Sequence, residues 1–328
     1  MKAIQFKKYG SPDELMLVDI PKPTPKENEI LVKIHAATVT AGDCEIRRMD
    51  FPWWIRIPIR IALGIFSPRR KHQILGMESS GVVEQIGAKV TRFKVGDEVY
   101  SSNGLGLGGY AEYVCQHSEK ATMLKPSNMN FKEAATIPVG AVNGHHFTQL
   151  ADIKSQEKVM IYGATGSIGT YAIQFASLYT SNIHAVGSPG SEELIRSLGA
   201  TKFIDYTLQD FTELNETYDV IIDCVGKANF KGSLESLNPN GRLVLANPKM
   251  SQMLSARRIS KRTGKKVIYK FASETHEKME EIGKIIQSGK VRSVIDREYT
   301  LEQVPEAHRY VELGNKIGHV VVAVASEY

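Results

Sequence analysis

Residues Lys158–Thr180 read KVMIYGATGSIGTYAIQFASLYT, and their pattern changes character twice. Val159, Met160, Ile161 and Tyr162 form a continuous apolar run of strand length. From Ile168 the apolar positions Ile168, Ala172, Ile173, Phe175 and Ala176 recur at helical spacing. Gly163, Gly166 and Gly169 lie between, so the stretch predicts strand, turn, helix. Glycine lets a chain turn tightly and lets its backbone approach a phosphate, while the helix that follows presents free N–H groups and the positive end of its dipole. A pyrophosphate suits that geometry. The usual dinucleotide fingerprint is G-x-G-x-x-G, whereas Ala164-Thr165-Gly166-Ser167-Ile168-Gly169 has alanine in the first place. A glycine-rich connection without a ligand is therefore the plain alternative.

Outward from this stretch, the pattern alternates between strand and helix. Strands are predicted over Asn182–Ser188, Lys202–Tyr206, Tyr218–Val225, Gly241–Ala246 and Lys266–Phe271, and helices over Ser191–Leu198, Phe230–Leu237 and Glu274–Ser288. That is the signature of an α/β doubly wound parallel sheet, expected over 126–289. Residues 1–125 instead show short strands, Glu29–His35, Gly81–Ile86, Asp97–Ser101 and Tyr110–Cys115, punctuated by Pro and Gly. They predict a mostly β domain, completed by about 290–328, where a helix Leu301–Leu313 and a strand His319–Val324 are expected.

With 328 residues, 42% of them hydrophobic and 23% charged, the chain fits a soluble, well-cored protein of two domains. MKAIQFKKYG begins like a strand and lacks an apolar signal core, which makes a cytoplasmic address the default expectation. Cys44, Cys115 and Cys224 are far apart and form no C-x-x-C pair, so neither a disulfide framework nor a clustered zinc site is indicated. The net charge of +5 is uneven: Lys249–Lys270 carries eight cations and no acid. A solvated loop and helix face explains that segment more simply than a phosphate or lipid contact, and no nucleic-acid motif accompanies it.

The segment Phe51–Phe66, FPWWIRIPIRIALGIF, is apolar yet holds Pro58 and two arginines in 16 residues. A bilayer span needs ~20 apolar residues, so it does not cross a membrane. Something must still cover Trp53, Trp54 and the isoleucines. The candidates are, in order, a lid over a substrate pocket, a subunit contact, and a membrane-surface patch with Arg56 and Arg60 snorkelling.

Six stretches carry a family likeness: AATVTAGDCEIRR (Ala36–Arg48), LGMESSGVVEQIGAKVTRFKVGDEVYS (Leu75–Ser101), GGYAEYV (Gly108–Val114), IYGATGSIGTYAIQFA (Ile161–Ala176), SLGATKFIDY (Ser197–Tyr206) and YDVIIDCVG (Tyr218–Gly226). They resemble the medium-chain dehydrogenase/reductase superfamily, in its zinc-free, quinone-oxidoreductase-like branch, where the alanine of the fingerprint is usual. The resemblance implies a GroES-like β domain, a Rossmann domain and a nicotinamide cofactor in the cleft between them. It further implies cofactor contacts at Ala164, Thr165, Gly166, Ser167, Ile168, Gly169 and Val225, and at Asn143, where relatives often have a hydrogen-bonding threonine. A homodimer joined through the edges of the Rossmann sheets is the expectation by resemblance.

Zinc-dependent members place a cysteine where this chain has Thr40 and a histidine where it has Met77. Zinc wants thiolate, imidazole or carboxylate, so no catalytic zinc is expected. Glu78 lies one position from Met77 and Cys44 four from Thr40, and the two make a poor substitute; the four-cysteine structural lobe is missing as well. Alcohol oxidation benefits from a metal that stabilises the alkoxide. Reducing a quinone or an α,β-unsaturated carbonyl needs only hydride and hydrogen-bond donors for the oxygen that gains charge. The Thr40 hydroxyl and backbone N–H groups lining the cleft are the candidate donors, against the plain reading of Thr40 as a loop threonine bonded to its own backbone.

An NAD site usually carries an acid about 20 residues past the fingerprint. Here Ser188 ends the second predicted strand, and the first acids are Glu192 and Glu193. By resemblance, Ser188 and Tyr206 are contacts to a 2′-phosphate, which favours NADP, although SPGSEE lacks a lysine or arginine and leaves Arg196, or a residue of the Lys249–Lys270 segment, to compensate. His145 and His146 read as surface or supporting residues, and Cys224 as core. The expected function is NADPH-dependent reduction of an apolar quinone or enone. The alternatives are zinc-free alcohol or aldehyde chemistry and a cofactor-binding sensor or peripheral membrane partner without turnover.

Overall fold

The computed structural model describes residues 1–273 and 275–325. In chain order it begins with β1 (Lys2–Gln5), β2 (Met16–Asp19), β3 (Glu29–Val39), α1 (Ala41–Arg48), α2 (Trp53–Leu63), β4 (Glu78–Ile86), β5 (Glu98–Ser102), β6 (Tyr113–His117), β7 (Thr122–Leu124) and α3 (Phe131–Ala134). There follow α4 (Val142–Ala151), β8 (Val159–Tyr162), α5 (Ser167–Ser177), β9 (Ile183–Gly187), α6 (Glu192–Ser197), β10 (Lys202–Asp205), β11 (Tyr218–Asp223), α7 (Phe230–Glu235), β12 (Leu237–Leu245), α8 (Met250–Thr263) and β13 (Lys266–Ile268). The last elements are α9 (His276–Gln287), β14 (Ile295–Thr300), α10 (Val304–Glu312) and β15 (His319–Ala323).

Two compact units emerge. The first comprises residues 1–139, 274–289 and 295–328; the second comprises 140–273 and 290–294. The sequence places the junctions near 126 and 289, so the difference lies in the run 126–139 and in α9. The reason for α9 is its apolar stripe: Met279, Ile282 and Ile286 are fully buried, the Tyr100 hydroxyl donates to the Met279 carbonyl at 3.0 Å, and Asn128 donates to the Ile286 carbonyl at 3.0 Å. The expected start of this helix at Glu274 lies outside the described residues.

In the first unit, seven strands form one sheet in the order β14-β15-β3-β4-β5-β7, with β6 also pairing β3, and β1-β2 form a separate ribbon. β3 is the longest strand because its apolar residues face covered surfaces on both sides; Ile30, Leu31, Val32, Ile34, Ala36, Ala37 and Val39 are all buried. Helices α1 and α2 interrupt what the sequence reads as strands and turns. Thr40 and Asp43 start α1 with a reciprocal capping box, a signal present in the sequence but subordinate there to the family motif.

In the second unit the six strands are all parallel in the order β10-β9-β8-β11-β12-β13. The order runs outward in both directions from β8, so the chain reverses direction between β8 and β11. In open parallel sheets ligands bind outside the carboxyl ends of the strands at such a reversal. The core on one face joins Val159, Ile161, Ala172, Ile173, Ala176, Ile183, Ala185, Val220, Ile222 and Cys224, which places Cys224 in the core as expected. The basic segment Lys249–Lys270 is mainly α8, a helix with only Ala256 buried, and the short edge strand β13. Among the described residues no helix is long and apolar enough to cross a membrane.

Candidate active site

In the second unit the site is built on the turn between β8 and α5. Gly163 leaves the strand with φ +77°, where a Cβ would strike Val225 at 2.8 Å. The N–H groups of Gly163 and Ala164 bond back to the Val186 carbonyl at 3.1 and 2.8 Å, and Gly166 bonds the Gly163 carbonyl at 3.1 Å. A Cβ on Gly169 would lie 2.1 Å from the Gly163 carbonyl oxygen, so this glycine lets α5 lie against the strand end. Gly166 differs: its Cβ would meet only that same oxygen at 3.5 Å, and as the N-cap of α5 it offers no side chain to the first turn. The first turn of α5 thus has no side-chain cap from its N-cap residue, and an anion there gains from its N–H groups and dipole. These residues fit a dinucleotide pyrophosphate.

The neighbouring strand ends supply the other predicted positions. Ser188 follows β9 and is buried, with its hydroxyl 3.2 Å from that of Thr165. Tyr206 follows β10, is exposed, and donates its N–H to the Gly187 carbonyl at 3.4 Å. Val225 follows β11 and is partly exposed. Asn143 sits in the first turn of α4. Arg196 bonds Glu192 at 2.8 Å and the Thr201 carbonyl. His145 and His146 are buried, His145 against the Phe175 ring at 4.9 Å and His146 2.9 Å from the Lys270 carbonyl oxygen.

Asp223 is a residue that sequence reasoning missed. At the end of β11 its buried carboxylate accepts from the N–H groups of Val225, Gly226 and Ala228 at 3.1, 2.8 and 3.2 Å. Burial pushes its carboxyl above the usual range, and those backbone bonds oppose the shift. Its role is to hold the loop that presents Val225. An acid at a strand end followed by Val-Gly was the available signal.

In the first unit the Thr40 corner is tightly bonded. The Thr40 hydroxyl accepts from the Asp43 N–H at 3.0 Å and donates to the Asp43 carboxylate at 2.6 Å. Asp43, fully buried, also accepts from the N–H groups of Thr40, Gly76 and Met77 at 3.0, 3.0 and 3.1 Å. Burial raises its carboxyl, opposed by these bonds. The Met77 sulfur lies 3.8 Å from the Thr40 hydroxyl. Glu78 turns elsewhere, accepting from the Thr38 hydroxyl and from the Val139 N–H at 2.7 Å. Cys44 faces His308 Nδ1 at 3.3 Å, and burial pushes its thiol up to about 12. Cys44 and Glu78 thus engage different partners. Among the described residues no group of three or more His, Cys, Asp or Glu side chains is placed to hold a metal.

Lys316 also escaped the sequence reading. It precedes β15, whose Val320 lies opposite Val39 in the sheet, and its ammonium donates to the Gly318 carbonyl at 2.6 Å. Burial lowers its pKa to about 8, and the carboxylates of Asp296 and Glu78 oppose the shift. Nothing in the surrounding sequence marks it.

Comparison with known proteins agrees with this layout. The alcohol dehydrogenase GroES-like domain family matches residues 26–127, and the zinc-binding dehydrogenase family matches residues 198–322. The chain is 29% identical to the 2-methylene-furan-3-one reductase of Solanum lycopersicum, over 98% of this chain and 79% of that one. It is 26% identical to the quinone oxidoreductase of Homo sapiens, over 96% and 95% of the two chains. The solved quinone oxidoreductase of Coxiella burnetii superposes with a TM-score of 0.84 at 26% identity, covering 99% of each chain. Two matched domains, a parallel sheet reversing at a glycine turn and full-length quinone-oxidoreductase relatives place this chain in the medium-chain dehydrogenase/reductase superfamily, within its quinone-oxidoreductase branch of nicotinamide-dependent oxidoreductases.

Proposed function

We propose that the protein uses NADPH to reduce quinones or α,β-unsaturated carbonyls without a catalytic metal. The observation that carries the metal-free reading is the donor set at the Thr40 corner. A hydroxyl and a thioether stand 3.8 Å apart where zinc-dependent members have thiolate and imidazole, and neither is a good zinc ligand. The names of the tomato and human relatives support an enone or quinone as the acceptor. Bound at the glycine turn, a reduced nicotinamide supplies the hydride.

The chain's own residues then have two tasks. The turn Gly163–Gly169 and the first turn of α5 hold the pyrophosphate, with Ser167 and Ile168 contributing N–H groups from the helix start. Ser188 and Tyr206, at the ends of adjacent parallel strands, receive the adenosine ribose side. A carboxylate in place of Ser188 would repel a 2′-phosphate; the small hydroxyl leaves room for one. Thr40 is the proposed donor to the substrate oxygen. It can serve only by turning its proton away from the Asp43 carboxylate, while Asp43 keeps its three backbone bonds and holds the corner in shape.

Purified protein titrated with NADPH and with NADH, followed by turnover with a soluble naphthoquinone and a simple enone, tests the reading. Expected are tighter binding of NADPH, consumption of NADPH with at least one acceptor, and no change on adding a chelator. Zinc-restored activity after metal stripping would overturn the metal-free assignment. Tight binding with no turnover on either acceptor class would leave a cofactor-binding sensor in its place.

A further inference from the structure

Helix α2 presents its apolar side outward. Its inner stripe is complete without that side: Leu63 is buried and Ile59 packs with Phe51 against the core that holds Ile46, Met49 and Leu75. Arg60 lies over the Tyr9 ring at 5.5 Å and bonds the Ile65 carbonyl at 2.6 Å, and Tyr9 bonds the Gly64 carbonyl at 2.8 Å, which fixes the helix end. At 100° per residue, the opposite half of the helix carries Trp53, Trp54, Ile57, Pro58, Ile61 and Ala62, none of them polar or charged. Trp53 is 68% exposed, Ile57 54% and Ile61 57%, and the chain continues into Phe66 at 92%.

Charge decides what covers this face. From Phe51 to Met77 the chain has Arg56, Arg60, Arg69, Arg70 and Lys71 and no acid at all. A second copy meeting the same face across a two-fold axis would set these cations against their own counterparts, with no carboxylate in the segment to pair them. A surface of lipid phosphates meets them with opposite charge and receives the apolar half at its acyl boundary. Tryptophan suits that boundary, with an apolar ring and an N–H that reaches headgroups. Pro58 lacks an N–H for the Trp54 carbonyl, which an interface can hydrate and a hydrocarbon interior cannot. We infer that α2 is an in-plane anchor that seats this protein on anionic membrane surfaces. The inference rests on α2 alone and stands whatever the substrate.

Trp53 and Trp54 are the only tryptophans in the chain, so their emission reports on α2 without labelling. The test uses the full chain with vesicles of phosphatidylcholine containing about one quarter phosphatidylglycerol, and with pure phosphatidylcholine vesicles. Expected with the anionic vesicles are a blue shift and co-sedimentation at low salt, weakened at least about tenfold in ~0.5 M salt. The double variant Ile57→Gln, Ile61→Gln retains both tryptophans and alters only exposed positions. It should melt like the parent and bind anionic vesicles at least about tenfold more weakly. The inference is overturned by absence of a shift with anionic vesicles at low salt. Equal binding by the double variant overturns it too, assigning the contact to another basic surface such as α8. So does self-association of the parent that the double variant abolishes while neither binds vesicles, which would make the face a subunit contact.

Discussion

The glycine turn of the second unit and the Thr40 corner of the first solve the same local problem in opposite ways. Each ends a strand and starts a helix with a sharp change of direction. At Gly163–Gly169 the backbone is shaped by missing side chains, and the helix start has no side-chain cap. At Thr40–Asp43 it is shaped by side chains that bond one another and the backbone, and the helix start is closed by a capping box. An open helix start can receive a ligand; a closed one stabilises the fold and leaves fewer polar groups for chemistry.

The severest way to break the comparison is Gly169→Val. Its Cβ would sit 2.1 Å from the Gly163 oxygen and 2.7 Å from the Ala164 Cα, and backbone atoms cannot yield. Expected is a loss of more than about 3 kcal/mol of stability together with cofactor binding, read by thermal melts and NADPH titration. Next is Asp43→Asn, which turns one acceptor oxygen into a donor facing N–H groups. About 2–3 kcal/mol should be lost in urea unfolding; a change below ~0.5 kcal/mol would show that the corner is not held by this carboxylate.

Gly166→Ala sharpens the contrast, because protein and ligand make different demands there. With only one atom within 3.5 Å of the new methyl and φ of −75°, the variant should melt like the parent. NADPH affinity should nevertheless fall about tenfold if the proposed pyrophosphate site is right, since the methyl would crowd it. Unchanged affinity would mean the turn is open for another reason.

The mildest effect is expected at a knot exposed to solvent. Glu216 pairs with Lys158 and Lys202, which hold its carboxyl down at about 2. Its reference value is 4.5, so the stabilisation is full above that pH and is lost as pH falls to about 2. Glu216→Gln should cost about 1 kcal/mol at neutral pH and almost nothing near pH 2, because a quarter of each of Lys158 and Glu216 remains in water.

The turn was legible in the sequence because glycine's reason for being there is local: Gly163, Gly166 and Gly169 could be read from spacing alone. The parallel sheet was legible for a similar reason, its strands being short apolar runs with helical spacing between them. Helix α2 was not, since arginines and a proline among isoleucines obscure any single period. Asp43, Asp223 and Lys316 were not legible as site residues either. What makes each of them matter is burial beside N–H groups or carboxylates brought in by the fold, and one-dimensional spacing carries no record of burial.

The pairing of β3 with β15 bears on how the chain is made. Val39 meets Val320, so β3 must wait for roughly 280 later residues before that neighbour exists. The six parallel strands of the second unit, by contrast, all fall within Val159–Ile268. During vectorial synthesis the parallel sheet has every partner in hand first, while β3 keeps the Ala36–Val39 half of one edge unpaired, its Glu29–Lys33 half being taken by β6. His35 borders that waiting half and breaks the apolar run, the kind of gatekeeping that lets a waiting strand stay out of aggregates until its partner is synthesised.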